Sequence, residues 1–158
     1  EGIPLDGQEP VAEVRAERGK LVSDGTTLLL AGKGLWSARV ESLVRGSGLR
    51  RVSLSGVEIK DHTDLAADLA DDLLFVTDRN QNQIWVWHDM DEAISGAAPD
   101  AVLGAESLRD TDPEIGRDSV FWPNRLAYDG DYLWVGEFKF SGRLLRFSPG
   151  PSDHTAGL

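Results

Sequence analysis

"LAYDGDYLWVGE", residues 126–137, holds the key to the fold. It repeats the layout of "LVSDGTTLLLAG", residues 21–32: leucine first, then Asp-Gly, then an apolar run. A looser copy, "LAADLADDLLFVTD", starts at Leu65 with two extra residues in its turn. Each copy reads as a short strand, a tight turn and a longer apolar strand. Asp24-Gly25 and Asp129-Gly130 are hairpin signals, because primed turns need positive φ and Asp-Gly adopts it cheaply. The competing reading of the middle copy is a helix over "DLAADLADDLLF". Leu65, Leu69 and Leu73 are four apart and alanine favours helix. The echo with the other two copies favours strand.

More strands follow each copy. "QIWVWH" (83–88) and "RLLRFS" (143–148) succeed the second and third through short polar links. In the first unit "LWSARV" and "LRRVSL" are both plausible strands, while Val40, Leu43 and Val44 also suit a helical turn. "DAVLG" (100–104) adds a fourth strand to the second unit. "DMDEA" (89–93) reads as a helical turn with an aspartate N-cap. The faces of these strands discriminate between architectures. Ile84 and Val86 oppose Trp85 and Trp87; Leu73 and Phe75 oppose Leu74 and Val76; Leu133 and Val135 oppose Tyr132 and Trp134. A one-sided sheet alternates apolar with polar. Strands apolar on both faces need cover on both, which stacked propeller blades provide. The copies start at intervals in or near the roughly 40–50-residue period of such blades.

Bulk composition narrows the function. The chain has 158 residues, 41% of them hydrophobic, enough for one domain with a core. Its net charge of −11 opposes binding to phosphate backbones. The nearest basic patch, "RGSGLRR" with Arg45, Arg50 and Arg51, reads as a solvated strand end, and no nucleic-acid partner is expected. The absence of cysteine removes disulfides, thiolate catalysis and cysteine-held zinc. No apolar run approaches the roughly 20 residues a membrane span needs, and "EGIPLDGQEP" lacks the basic head and apolar middle of a secretory leader.

"LLFVTDRNQNQIWVWH" resembles the NHL-repeat β-propellers, with Asp78, Asn80 or Asn82, and Gln83 in the places such repeats give to Asp, a turn Asn and an amide or basic residue. Glu137 and Arg143 stand in for them in the third unit. "PDAVLG" and "FWPNRLAYDGDYLWVGE" look like a bacterial subgroup of that family. The resemblance implies an all-β chain forming a partial β-propeller of about three four-stranded blades, of the six-bladed type if completed. Residues 1–18 would give the outer strand of a shared blade ("PVAEVRAE", 10–17), 19–60 the first blade, 61–104 the second, and 105–158 an incomplete third. The remaining blades would come from more of the same propeller or from a second copy closing head to tail, hiding exposed edges. Exported relatives tilt the compartment towards an extracytoplasmic one.

Inner strands of propellers begin near the axial channel, where ligands bind. His62 and Asp64, Asn124 and Arg125, and Lys20 hold comparable places in the three units and are the candidate ligand-binding residues. Their alternative is ordinary solvation or turn capping. Gluconolactonase-like propeller hydrolases use a divalent metal to polarise a carbonyl and activate water; Asp64, Asn124 and Glu137 do not match that ligand pattern. Related propeller lyases hold a metal through several histidines, which His62 alone does not supply. No metal, cofactor or catalytic residue is therefore assigned. Asp78 with Gln83, and Glu137 with Arg143, read as structural cross-hairpin pairs. "DTDPE" (110–114) reads as a solvated loop, not a calcium loop. The five tryptophans are expected between blades; Trp122, beside a strand start in "VFWPN", also admits a surface role, although a core aromatic before a proline is the favoured reading there too. The expected function is a non-catalytic binding or scaffold module for a protein, peptide or glycan; the alternative is part of a metal-dependent lactonase-like hydrolase or a lyase.

Overall fold

The computed structural model describes residues 19–58, the backbone of 65–70, and residues 73–148. The described chain is mostly β, in three antiparallel sheets whose strands follow one another in sequence order. The first contains β1 (Lys20–Ser23), β2 (Thr27–Ala31), β3 (Leu35–Arg39) and β4 (Arg50–Val52), with helix α1 (Val40–Val44) before β4. The second contains β5 (Leu65–Ala70), β6 (Leu73–Asp78), β7 (Gln83–Trp87) and β8 (Ala101–Leu103), with α2 (Met90–Ser95) before β8. The third contains β9 (Pro123–Tyr128), β10 (Leu133–Glu137) and β11 (Leu144–Phe147). The Leu65 copy is therefore strand: Ala70 pairs with Leu73 across the link between β5 and β6. Its alanines do not make it helical because tertiary pairing outweighs intrinsic propensity.

The two Asp-Gly turns are built alike, but not as the expected primed turns. The closing pairs are Ser23 with Leu28 and Tyr128 with Leu133, leaving four residues in each turn. Only the glycines take positive φ, 91° at Gly25 and 103° at Gly130. The aspartates instead accept backbone bonds two and three residues on. Asp24 Oδ1 accepts from Thr26 N and Thr27 N, each at 2.7 Å. Asp129 Oδ1 accepts from Asp131 N at 3.0 Å and Tyr132 N at 2.8 Å. Both carboxyls are held below their ordinary pKa. The Thr27 N–H is the chief cause at Asp24, and at Asp129 it is the indole N–H of Trp134.

The middle sheet is covered on both faces. Leu74, Val76, Trp85 and Trp87 point towards the first sheet and join Val22, Leu29, Ala31, Leu35 and Val52 in one core cluster. The intervening Phe75, Ile84 and Val86 join Leu126, Leu133, Val135 and Phe147 of the third sheet in another. Cross-strand register keeps each set on one face, with Leu74 opposite Trp87 and Val76 opposite Trp85. Trp85 and Trp87 meet edge to face at 6.3 Å. Their buried N–H groups are satisfied by Gln83 Oε1 at 2.9 Å and by the Ala97 carbonyl at 3.2 Å. The first strands of the sheets lie side by side, β5 next to both β1 and β9. Helix α2, capped by Asp89 through Asp91 N at 2.7 Å, adds Met90 and Ala93 to the first cluster.

The tryptophans divide. Trp85 and Trp87 fill space between sheets as expected, whereas Trp36, Trp122 and Trp134 are only half-buried. Trp36 and Trp134 lie on the outward faces of the first and third sheets, where Arg51 and Arg146 sit over the rings. Among the described residues neither outward face is covered by a further sheet, and Leu21 and Leu144 stand exposed on them. No helix among the described residues is long and apolar enough to cross a membrane.

Candidate functional site

The link from β8 to β9, residues 104–122, is tied to the β6–β7 hairpin by Asn82 and Gln83, while the amide beside them, Gln81, donates to the Glu58 carbonyl at 2.9 Å and to Asp78 Oδ2 at 2.6 Å. Gln81, Asn82 and Gln83 are all buried. Gln83 spends both amide hydrogens on the carbonyls of Ser107 and Asp110, at 3.0 and 2.5 Å. It therefore anchors the loop rather than pairing with Asp78 through its side chain. Asn82, at φ 56°, donates to the Thr111 carbonyl at 3.1 Å, and its Oδ1 accepts from Trp122 N at 3.0 Å. Asp110 bonds back to Glu106 N and Asp112 N, so "DTDPE" serves its own loop.

This bracing presents an aromatic cluster at one end of the second and third sheets. Phe121 and Trp122 stack with centroids 5.7 Å apart and planes 5° apart. Phe140, in the β10–β11 hairpin, tilts against both at 6.4 and 6.2 Å. Phe140 is 79% exposed and its neighbour Phe138 42%. Cations flank the rings: Lys139 Nζ lies 4.3 Å over Trp122, and Arg79 lies 5.9 Å from Phe138. Two backbone outliers sit in the cluster, Trp122 at φ 49° and Lys139 at φ 63°. Positive φ in a bulky residue costs on the order of 1–3 kcal/mol and persists only where its surroundings enforce it.

The Glu137–Arg143 pair ties the two aromatic-bearing segments together. Arg143 meets the carboxylate as a fork, Nε to Oε2 and a terminal nitrogen to Oε1, both at 2.7 Å. Glu137 Oε1 also accepts from Phe121 N at 2.7 Å, and the Glu137 side chain is wholly enclosed. The remaining Arg143 donors take the carbonyls of Gly116 and Ser119 at 2.6 and 3.2 Å. Burial opposes the charge on Glu137, but the Arg143 fork and the Phe121 N–H more than offset it and hold the carboxyl below its usual pKa. The expected pairing of these residues is present, and it anchors both segments that carry the aromatics.

The channel residues expected from sequence fall differently. His62 and Asp64 lie outside the described residues. Asn124 and Arg125 are adjacent on β9, and the exposed Arg125 bonds back to the Asn124 carbonyl at 2.8 Å and its Oδ1 at 3.1 Å. Lys20 Nζ reaches the Leu126 carbonyl at 3.5 Å, bringing the starts of the first and third units near each other. Among the described residues no three His, Asp or Glu side chains gather as metal ligands. Sequence reasoning noted a surface role for Trp122 while favouring a core one, and missed Phe121, Phe138 and Phe140; the one available signal was four aromatics within two short polar loops. No protein-family model, no curated protein and no solved structure gives a significant match to this chain.

Proposed function

We propose that the chain is a three-blade portion of an NHL-type β-propeller that works as a non-catalytic binding module, with the Phe121–Trp122–Phe140 cluster as its contact surface. The propeller reading is supported by three similar meanders stacked with their first strands side by side. It is also supported by a middle sheet buried on both faces. The observation that carries the binding reading is an exposed aromatic cluster carried on two segments that a partly buried ion pair ties together. Exposed aromatics rimmed by polar groups mark interaction sites, and rigid aromatic anchors dominate binding energy. The faces of Trp122 are taken up by Phe121 and Lys139, which disfavours sugar stacking and favours a protein or peptide. Lys139 selects acidic groups beside an apolar anchor, over a range shorter than the roughly 8 Å screening length that mutes the distant negative charge.

Selection from a displayed peptide library, followed by calorimetry with wild type and Phe140→Ser, tests this. Peptides combining apolar and acidic residues should bind and lose about 30-fold or more in Phe140→Ser, the scale of a hot-spot residue. Binders indifferent to Phe140, or none, would refute the reading. The outward faces of the first and third sheets fit the same propeller if a second copy covers them, which makes self-association part of the proposal.

A further inference from the structure

A recess unlike the aromatic cluster lies between the first sheet and α2. The face that the first sheet turns towards the second changes along its length. One cross-strand row is apolar: Ala31, Leu35 and Val52. The next contains Leu29, Ser37 and Arg50, and the last pairs Thr27 with Arg39. Sheet-to-sheet packing that is tight at the apolar row therefore opens into a cleft of about 500 Å³ at the polar rows. Its far wall is α2, contributing Asp91 and Ile94, and Ser47–Gly48 close one side. The floor residues Thr27 and Ser37 are almost fully buried.

The charges in the cleft do not balance. Arg39 is engaged, donating to Thr27 Oγ1 at 2.7 Å and meeting Asp91 Oδ1 at 3.3 Å. Arg50 donates to the Ile94 carbonyl at 3.1 Å and, among the described residues, meets no carboxylate. Its neighbour in sequence, Arg51, points to the opposite face of β4, over Trp36, so "RGSGLRR" is not one basic patch. A cleft of this volume lies within the range of small-molecule sites, and its lining is mixed, with apolar surface from Ala38 and Ile94 beside hydroxyls, two guanidinium groups and the Asp91 carboxylate. Hydroxyls both donate and accept, which suits a polyol. An arginine without a carboxylate suits a planar or tetrahedral anion, which it grips with two parallel N–H bonds.

We propose that this cleft binds a monosaccharide-sized polyol with one anionic group, a carboxylate or a phosphate, the anion on Arg50 and the hydroxyls on Thr27, Ser37 and Ser47. The site is independent of the aromatic cluster, and the two stand or fall separately.

Titration calorimetry of the whole chain in low-salt buffer decides it, with glucuronate, glucose 6-phosphate, glucose and inorganic phosphate as probes. At least one anionic sugar should bind ten-fold or more tighter than both glucose and inorganic phosphate. Comparing glucuronate with glucose 6-phosphate tells which anion is preferred. Arg50→Gln should lower that affinity to the level of glucose with an unchanged melting temperature, whereas Phe140→Ser should leave it unaltered. Amide shifts on binding should centre on Ser47 and Gly48. Equal binding of inorganic phosphate and glucose 6-phosphate overturns the proposal. So does undiminished binding in Arg50→Gln, or no binding of either anionic sugar.

Discussion

Replacing Arg143 by leucine should destabilise the protein in a way that depends on pH with an unusual sign. The Glu137 side chain is fully enclosed and accepts two of its bonds from Arg143, at 2.7 Å each, with the third from Phe121 N. Removing one partner of a buried pair strands the other charge, at a cost of about 3–5 kcal/mol. Protonation limits that cost. Raising a carboxyl from an ordinary pKa of about 4.3 to neutrality takes roughly 3.7 kcal/mol at about 1.4 kcal/mol per pH unit. The expected loss in Arg143→Leu is therefore about 3–4 kcal/mol near pH 7, falling to about 1 kcal/mol near pH 5. In wild type the folded-state pKa of Glu137 is depressed. Its contribution is present above the unfolded value and disappears as pH falls through the folded one. In the variant burial acts alone, the pKa rises, and stability instead increases from pH 7 to pH 5 at this site. Urea unfolding followed by tryptophan fluorescence at both pH values measures the difference. Glu137→Gln combined with Arg143→Leu should abolish its pH dependence. A cost below about 1 kcal/mol at pH 7, or one that does not change by pH 5, would refute the anchoring role given to this pair.

Four further outcomes follow from the same contacts. Trp85→Ala should cost about 3–5 kcal/mol in urea unfolding, because the ring is fully buried between the first and second sheets. Gly104→Ala should destabilise by roughly 1–3 kcal/mol: Gly104 sits at φ 80°, and a Cβ there would collide with Val120. Phe140→Ser should change the unfolding midpoint little, within about 0.5 kcal/mol, as expected for an exposed site. The chain should sediment as a dimer at micromolar concentration, through the outward faces that carry Leu21 and Leu144; a stable monomer would remove self-association from the account.

The parts of the fold visible in sequence were those set by local periodicity. Apolar residues on both faces of 73–78 and 83–87 foretold burial on both sides, because strand side chains alternate without exception in an unbroken ladder. The echo of 21–32 in 126–137 marked two hairpins of the same construction, although aspartate caps rather than a primed turn shape them. The aromatic surface was hidden for a physical reason. Phe121 and Trp122 are brought to the Phe138–Phe140 hairpin by bonds from Glu137 and Asn82 to their backbone N–H groups, contacts that no local pattern announces. Those bonds join residues up to 40 positions apart. The polar cleft left a fainter trace: Ser37, Arg39 and Arg50 fall on the inward positions of strands whose other inward residues are apolar. Reading it requires the register, which no single segment contains.

The most direct test of the stacked arrangement is a set of side-chain nuclear Overhauser contacts from β6 in solution. Val76 should give contacts to Leu29, Leu35 or Val52 of the first sheet, and its neighbour Phe75 to Leu126, Leu133 or Val135 of the third. Both residues contacting the same sheet, or either facing water, would contradict the account.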